Sequence, residues 1–214
     1  MWKEMTVSVN PFVPVPQQTA HQEEDADAEL DAGQMNGPAS PAVAPEVQGD
    51  VVSWPQREVE RRTGVFIAGL HGGAGASTLA QLLNLVDGYD AYDAGQGWPV
   101  AAGWTRPRAE LNVIAVYRPT RAGIAAATHF ARAWAANTLP DSRLLGIVAI
   151  DDGPKLLAAQ KNAVKRIGHM TPHGWRIGWH EPWRISAPEP SDIPRSTRRT
   201  LRSIHTTIKK EGVQ

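Results

Sequence analysis

Four glycines fall within ten residues in Gly69-Leu-His-Gly-Gly-Ala-Gly-Ala-Ser-Thr78, a spacing that suits anion binding. Glycines let backbone N–H groups turn inward around an oxyanion. The residues after them, from about Ala76 to Leu85, have the pattern of an amphipathic helix, whose first amides have no partner within the helix and carry its positive dipole end. The phosphate-loop pattern also requires Gly-Lys-[Ser/Thr], where this chain has Gly75-Ala76-Ser77. The candidate phosphate-binding residues are His71, Gly72, Gly73, Ala74, Gly75, Ala76, Ser77 and Thr78. Loss of the lysine removes a charge-assisted contact of roughly 1.5–3 kcal/mol, enough to weaken a nucleotide about ten- to a hundredfold. Two roles are open for His71: a protonated imidazole on the phosphate, or a ring hydrogen-bonded within the loop.

Other reactive side chains are less well placed. Phosphoryl transfer depends on positive charge and Mg²⁺, and the magnesium carboxylate of such sites ends a buried strand. The acids nearest the loop, in Tyr89-Asp-Ala-Tyr-Asp93, lie in turn-like sequence, so the expectation is that no acidic strand end serves the loop. NTPase turnover is not expected, and no catalytic residue is assigned. His169, His173 and His180 with Glu181 invite a zinc reading, but Pro172 and Gly174 break the helix that would align the first two, and no metal site is assigned. Trp175, Trp179 and Trp183 read as core or edge packing; exposure beside Arg176 and Arg184 would make them base-stacking residues instead.

The elements that must position the loop follow from periodicity. Apolar runs predict strands at Val65–Leu70, Leu111–Tyr117 and Leu144–Ile150, with a last strand near Trp175–Trp179. Helices are expected over Arg121–Asn137, with Thr120 as N-cap, and over about Pro154–Ile167. The turn-rich segment Val86–Pro99 holds at most one short strand. Alternating strand and helix argue for a parallel sheet covered by helices, with the glycine loop at its carboxyl edge. At the C-terminus, Leu201, Ile204 and Ile208 recur at helical spacing among Arg195, Arg198, Arg199, Arg202, Lys209 and Lys210. This reads as a helix docked by its apolar stripe, with phosphate-backbone binding as the alternative.

The 214 residues, 42% apolar, suit one ordinary core. No cysteine is present, which excludes disulfides and thiolate metal sites and fits a reducing cytosol. There is no apolar run of membrane-spanning length and no signal-peptide pattern at the N-terminus, so a cytoplasmic protein without membrane insertion is expected. The net charge of zero hides a division. Met5 to Gln56 contains eight acids and no Lys or Arg, whereas the chain from Arg57 onward has a net charge of +8. The acidic stretch is rich in Pro and Ala and poor in large apolar residues, so residues 1–60 are expected to be a disordered arm.

Gly69–Thr78 resembles the deviant phosphate loop of the ParA/MinD group, Lys-Gly-Gly-x-Gly-Lys-Thr. His71 then stands at the signature lysine that reaches a dimer partner's phosphates, Ala76 at the phosphate-gripping lysine, and Ser77 at the Mg²⁺-ligating hydroxyl. Asn112–Ile124 and Leu144–Ile150 are similar to later blocks of that group. About 35 residues separate the loop from the Asn112 strand, too few for the group's complete core. A closer resemblance, over about residues 64–205, is to an uncharacterised family of small proteins, mostly actinobacterial and often encoded beside conjugative or plasmid-type genes. It rests on Leu70–Thr78, Trp98-Pro-Val100, Val116–Ile124, Trp134-Ala135, Leu139-Pro140, Leu144–Asp152 and Trp175–Arg184. These resemblances imply an α/β fold, a compact Rossmann-like three-layer sandwich with a mostly parallel sheet of about four to five strands. The expected division is an acidic arm (1–60), a degenerate P-loop domain (61–190) and a basic C-terminal helix and tail (191–214).

The implied function is a non-catalytic accessory or regulatory protein of plasmid, conjugative-element or phage maintenance that acts through a protein partner. Its cofactor would be ATP or GTP with Mg²⁺, held weakly if at all. One alternative is a nucleic-acid-binding module using the basic body and C-terminal helix. Another is a nucleotide-dependent switch in which His71 replaces the loop lysine. Homodimerisation is left open.

Overall fold

The structure, a computed structural model, describes residues 34–41, 54–61, 63–87, 90–104 and 106–212. Eight strands and four α-helices follow one another as β1 (Met35–Asn36), β2 (Gln56–Val59), β3 (Val65–Gly69), α1 (Ala76–Asp87), β4 (Ala91–Gln96), β5 (Trp98–Ala101), β6 (Leu111–Tyr117), α2 (Arg121–Ala135), β7 (Ser142–Ile150), α3 (Ala158–Gly168), β8 (His173–Ile177) and α4 (Arg195–Lys210). A 3₁₀ turn, Glu181–Arg184, lies between β8 and α4.

β3 is buried at all five positions, as a central parallel strand must be when both its faces are covered. Successive side chains point to opposite faces. Phe66 and Ala68 meet Phe130 and Trp134 of α2 and Val164 and Ile167 of α3 in one core. Val65 and Ile67 meet Leu79, Leu82 and Leu83 of α1 and Leu201, Ile204 and Ile208 of α4 in the other. Helices therefore cover both faces of a sheet ordered β1-β8-β7-β6-β3-β4. All pairings are parallel except β1 with β8. Thr120 caps α2 as its sequence predicts, its hydroxyl accepting from the Gly123 amide.

The sheet exceeds the expected four to five strands by one, β1 at its edge. The stretch read as turns holds two strands instead of one. β4 joins β3 at the sheet edge, and β5 leaves to pair with β2 in a separate two-stranded sheet. Among the described residues no helix separates α1 from β6. At the other edge, β1 comes from the segment expected to be disordered. Met35 is 3% exposed, and a Cβ on Gly168 would lie 2.7 Å from its sulfur. Within the same expected arm Gln56–Val59 also forms a strand, β2, paired with β5; apart from residues 34–41 and 54–60, the arm lies outside the described residues.

α4 docks as its stripe predicts: Leu201, Ile204 and Ile208 are fully buried, while Arg195, Arg199 and Arg202 are exposed. Among the described residues no helix is long and apolar enough to cross a membrane.

Because Met35 fills space that Gly168 leaves open, Met35→Ala is expected to cost about 2 kcal/mol or more, the lower end for a buried Met truncation. Urea unfolding of the full chain measures this. An unchanged midpoint would show that β1 adds nothing to the core.

Candidate functional site

Parallel strands deliver their carboxyl ends to one edge, and the glycine loop forms there between β3 and α1. Leu70 N–H donates to Val116 O (2.9 Å), which extends the β3–β6 ladder one residue into the loop. The Ala74 amide then turns back to His71 O (3.2 Å). Gly73 (φ +71°) and Gly75 (φ +99°) adopt the left-handed region that favours glycine. They differ in their surroundings: a Cβ on Gly73 meets nothing within 4 Å, whereas one on Gly75 would lie 2.8 Å from Ile150 Cδ1. Beside the loop is a cavity of about 250 Å³ lined in part by His71, Gly73, Gly75, Ser77, Asp93 and Gln96.

Asp93, expected in a turn, lies instead within β4 and beside the loop. Its carboxylate accepts from Ser77 Oγ (2.7 Å) and from the Gly95 amide (2.7 Å). Two features bring it there. Asn84 of α1 binds both backbone groups of Ala91, donating to its carbonyl (3.0 Å) and accepting from its amide (2.9 Å). That fixes β4 against α1, and Asp93, two residues further, lies on the same face as Ala91. Ala94, next in the strand, faces the opposite core and is the extra residue where the register with β3 shifts between Ile67 and Ala68. A hydroxyl and a carboxylate in contact suit Mg²⁺, which is commonly held by one or two protein oxygens together with ligand phosphates.

His71 has both ring nitrogens engaged by backbone. The Arg118 amide donates to Nε2 (3.0 Å), so Nδ1 carries the proton that reaches Gly72 O (2.9 Å). Of its two expected roles, the geometry gives the hydrogen-bonded one: the ring ties the loop to the end of β6. Space there is tight, since a Cβ on Gly123 would overlap Arg118 O and lie 2.8 Å from His71 Nε2.

Positive charge reaches the loop from outside it. Arg118 Nε donates to Gly73 O (2.9 Å), and the Arg57 guanidinium of β2 packs so closely on Gly95 that a Cβ there would overlap it. Neither arginine belongs to the glycine motif, and the sequence reading missed both. The only local signal was the position of Arg118 between β6 and the N-cap of α2.

The remaining candidates are dispersed. His169 and His173 face β1, their Nδ1 atoms 2.9 Å from Asn36 O and Asn36 Oδ1, and burial pushes the His173 pKa down. His180 instead lines a cleft beyond the carboxyl ends of β7 and β8 with Arg118, Asp151, Trp179 and Trp183. Asp151, 3% exposed, is held bidentately by Arg176 (3.0 and 2.8 Å), yet burial outweighs that partner and raises its pKa. Trp175 is core, its Nε1 donating to Ser203 Oγ (3.1 Å). Among the described residues no three His, Asp or Glu side chains gather as a metal-ion site.

His71→Lys tests the role of the ring. The substitution leaves the Arg118 amide without its acceptor, so a stability loss of about 1–3 kcal/mol is expected, read by urea unfolding, with no gain in phosphate affinity. A stable variant that bound phosphate more tightly would restore the lysine-substitute role.

Searches of the curated proteins and of the solved structures give no match. Residues 63–201, from the start of the β3 region into α4, match DUF6668, a family of unknown function. This match spans more than half of the chain and includes the loop, Asp93, Arg118 and the second cleft, and it places the protein in the DUF6668 family.

Proposed function

We propose that the glycine loop is a phosphate-binding site for a nucleotide with Mg²⁺, and that the protein uses it to respond to the nucleotide without hydrolysing it. The observation carrying this reading is the Ser77–Asp93 contact of 2.7 Å at the mouth of the loop cavity. Backbone amides of the loop and the first turn of α1 would hold the phosphates, while Ser77 and Asp93 would hold the cation. Arg57 and Arg118 contribute the charge that Ala76 does not. Turnover needs positive charge aimed at the transferred group. Arg118, with Nε already committed to Gly73 O, is suited to binding more than to transfer. This fits a degenerate ParA/MinD-like P-loop domain in a Rossmann-like sandwich, acting as an accessory component of plasmid, conjugative-element or phage maintenance. In that setting the readout would be a protein partner.

A second reading rests on α4. Arg195, Arg199 and Arg202 share an exposed face, and none makes an ion pair within the described residues. They suit the phosphate backbone of a nucleic acid.

For the first reading, the melting temperature of the full chain is measured with ATP or GTP, with and without Mg²⁺. Ligand at ten times Kd stabilises by about 1.4 kcal/mol, a rise of roughly 3–5 °C. The rise should require Mg²⁺ and largely disappear in Ser77→Ala and Asp93→Asn. Both test positions are exposed, which makes them better choices than Gly75, where a new Cβ strikes Ile150. A melting temperature indifferent to every nucleotide would sink this reading. The second reading predicts DNA affinity falling with salt at a log–log slope of about −3 for three phosphate contacts, and a flatter slope when the three arginines are replaced by alanine. Binding insensitive to salt would contradict it.

A further inference from the structure

The cleft beyond β7 and β8 lies on the other side of Ile150 from the glycine loop. Ile150 lines it, with Thr78, Arg118, Asp151, Gly178, Trp179, His180, Trp183 and Arg184 around it, and touches the loop at the space above Gly75. Its volume is about 50 Å³, room for a small oxyanion.

The polar groups of the cleft are mismatched. Trp183 Nε1 and His180 Nε2 are both buried, and neither has a hydrogen-bond partner among the described residues. The two rings pack edge to face at 4.7 Å, so each is held in place. An indole N–H is only a donor, and a buried donor without an acceptor costs about 1–3 kcal/mol. Arg118 adds a guanidinium whose Nε is fixed by Gly73 O and for which no carboxylate partner exists among the described residues. The negative groups nearby are already matched. Asp151 is held by both arms of Arg176, and Glu181 accepts from Trp179 Nε1 (2.9 Å) and Arg184 (3.1 Å). The cleft thus has surplus donors and positive charge, and needs an acceptor.

We propose that this cleft is an oxyanion site, taking a phosphate or carboxylate group between the Arg118 guanidinium and the Trp183 and His180 rings. It stands apart from the loop reading, because the two cavities share no lining residue. The oxyanion is either a free small anion or the far end of a ligand held at the loop, and Arg118 contacts both places.

The full chain, labelled with ¹⁵N, carries the reporter. The Trp183 indole N–H resonance is identified by its loss in Trp183→Phe and followed with inorganic phosphate, with acetate, and with ATP plus Mg²⁺. The proposal predicts saturable movement of that resonance and an affinity about tenfold weaker in Arg118→Gln. The Trp183→Phe chain, which keeps an aromatic ring but no N–H, should lose a similar factor in calorimetry. Movement with phosphate or acetate that persists in Ser77→Ala identifies a free anion. Movement only with ATP, abolished by Ser77→Ala, identifies the end of the loop's ligand. An indole resonance that stays still with all three probes overturns the proposal, whether or not nucleotide raises the melting temperature.

Discussion

Five strands, β8-β7-β6-β3-β4, run parallel between two layers of helices, and the position of every polar cluster at the carboxyl edge depends on that arrangement. With both faces buried, the interior has no room for unpaired charge, so the loops and strand ends at that edge carry the exposed chemistry. The bond from the Arg118 amide to His71 Nε2 joins two of those ends. It sets the height of the glycine loop above β6 and brings the Arg118 side chain to Gly73. On the other side, Asn84 fixes β4 to α1, which sets Asp93 beside Ser77. The two anchors, one on each side of β3, define the cavity between them.

The proposed site redistributes charge. A lysine within a phosphate loop follows the transferred group as charge develops, whereas Arg118, just past β6, contacts the loop backbone at Gly73 and Arg57 of β2 packs on Gly95 of β4. Arginine presents a rigid planar fork of donors and stays ionised, qualities suited to fixing a bound oxyanion in place. A carboxylate and hydroxyl for a cation, cradling amides and peripheral arginines together favour holding a polyphosphate over cleaving it. If the cleft beyond Ile150 takes an oxyanion as well, Arg118 links two anion sites, and a ligand in one would alter the electrostatics of the other.

Much of this was legible in the sequence because long apolar runs and helical stripes leave few choices. The central strands and all four helices lie where periodicity puts them, as does the Thr120 cap. What was illegible has physical reasons. β4 reads Ala-Tyr-Asp-Ala-Gly-Gln, an edge strand with a bulge and a left-handed Gly95, so its alternation is broken and its polar residues mimic a turn. Asp93 was therefore visible but set aside. β1 is two residues long, too short for any period, and its one buried apolar side chain, Met35, sits in a stretch whose composition is otherwise that of a solvated arm. Arg118 and Arg57 act on residues 45 and 38 positions away in the chain, contacts that only the tertiary fold creates. For His71, the sequence offered two roles, and the bond from the distant Arg118 amide is again one that only the tertiary fold creates.

The central claim is that Ser77 and Asp93 complete a cation site only when a polyphosphate occupies the loop. Manganese, as a paramagnetic stand-in for magnesium, tests it by electron paramagnetic resonance on the full chain. The account predicts that free Mn²⁺ signal falls on adding protein and nucleotide together, beyond the loss either causes alone, and that Asp93→Asn restores it. Mn²⁺ uptake that is the same with and without nucleotide, or unchanged in Asp93→Asn, would contradict it.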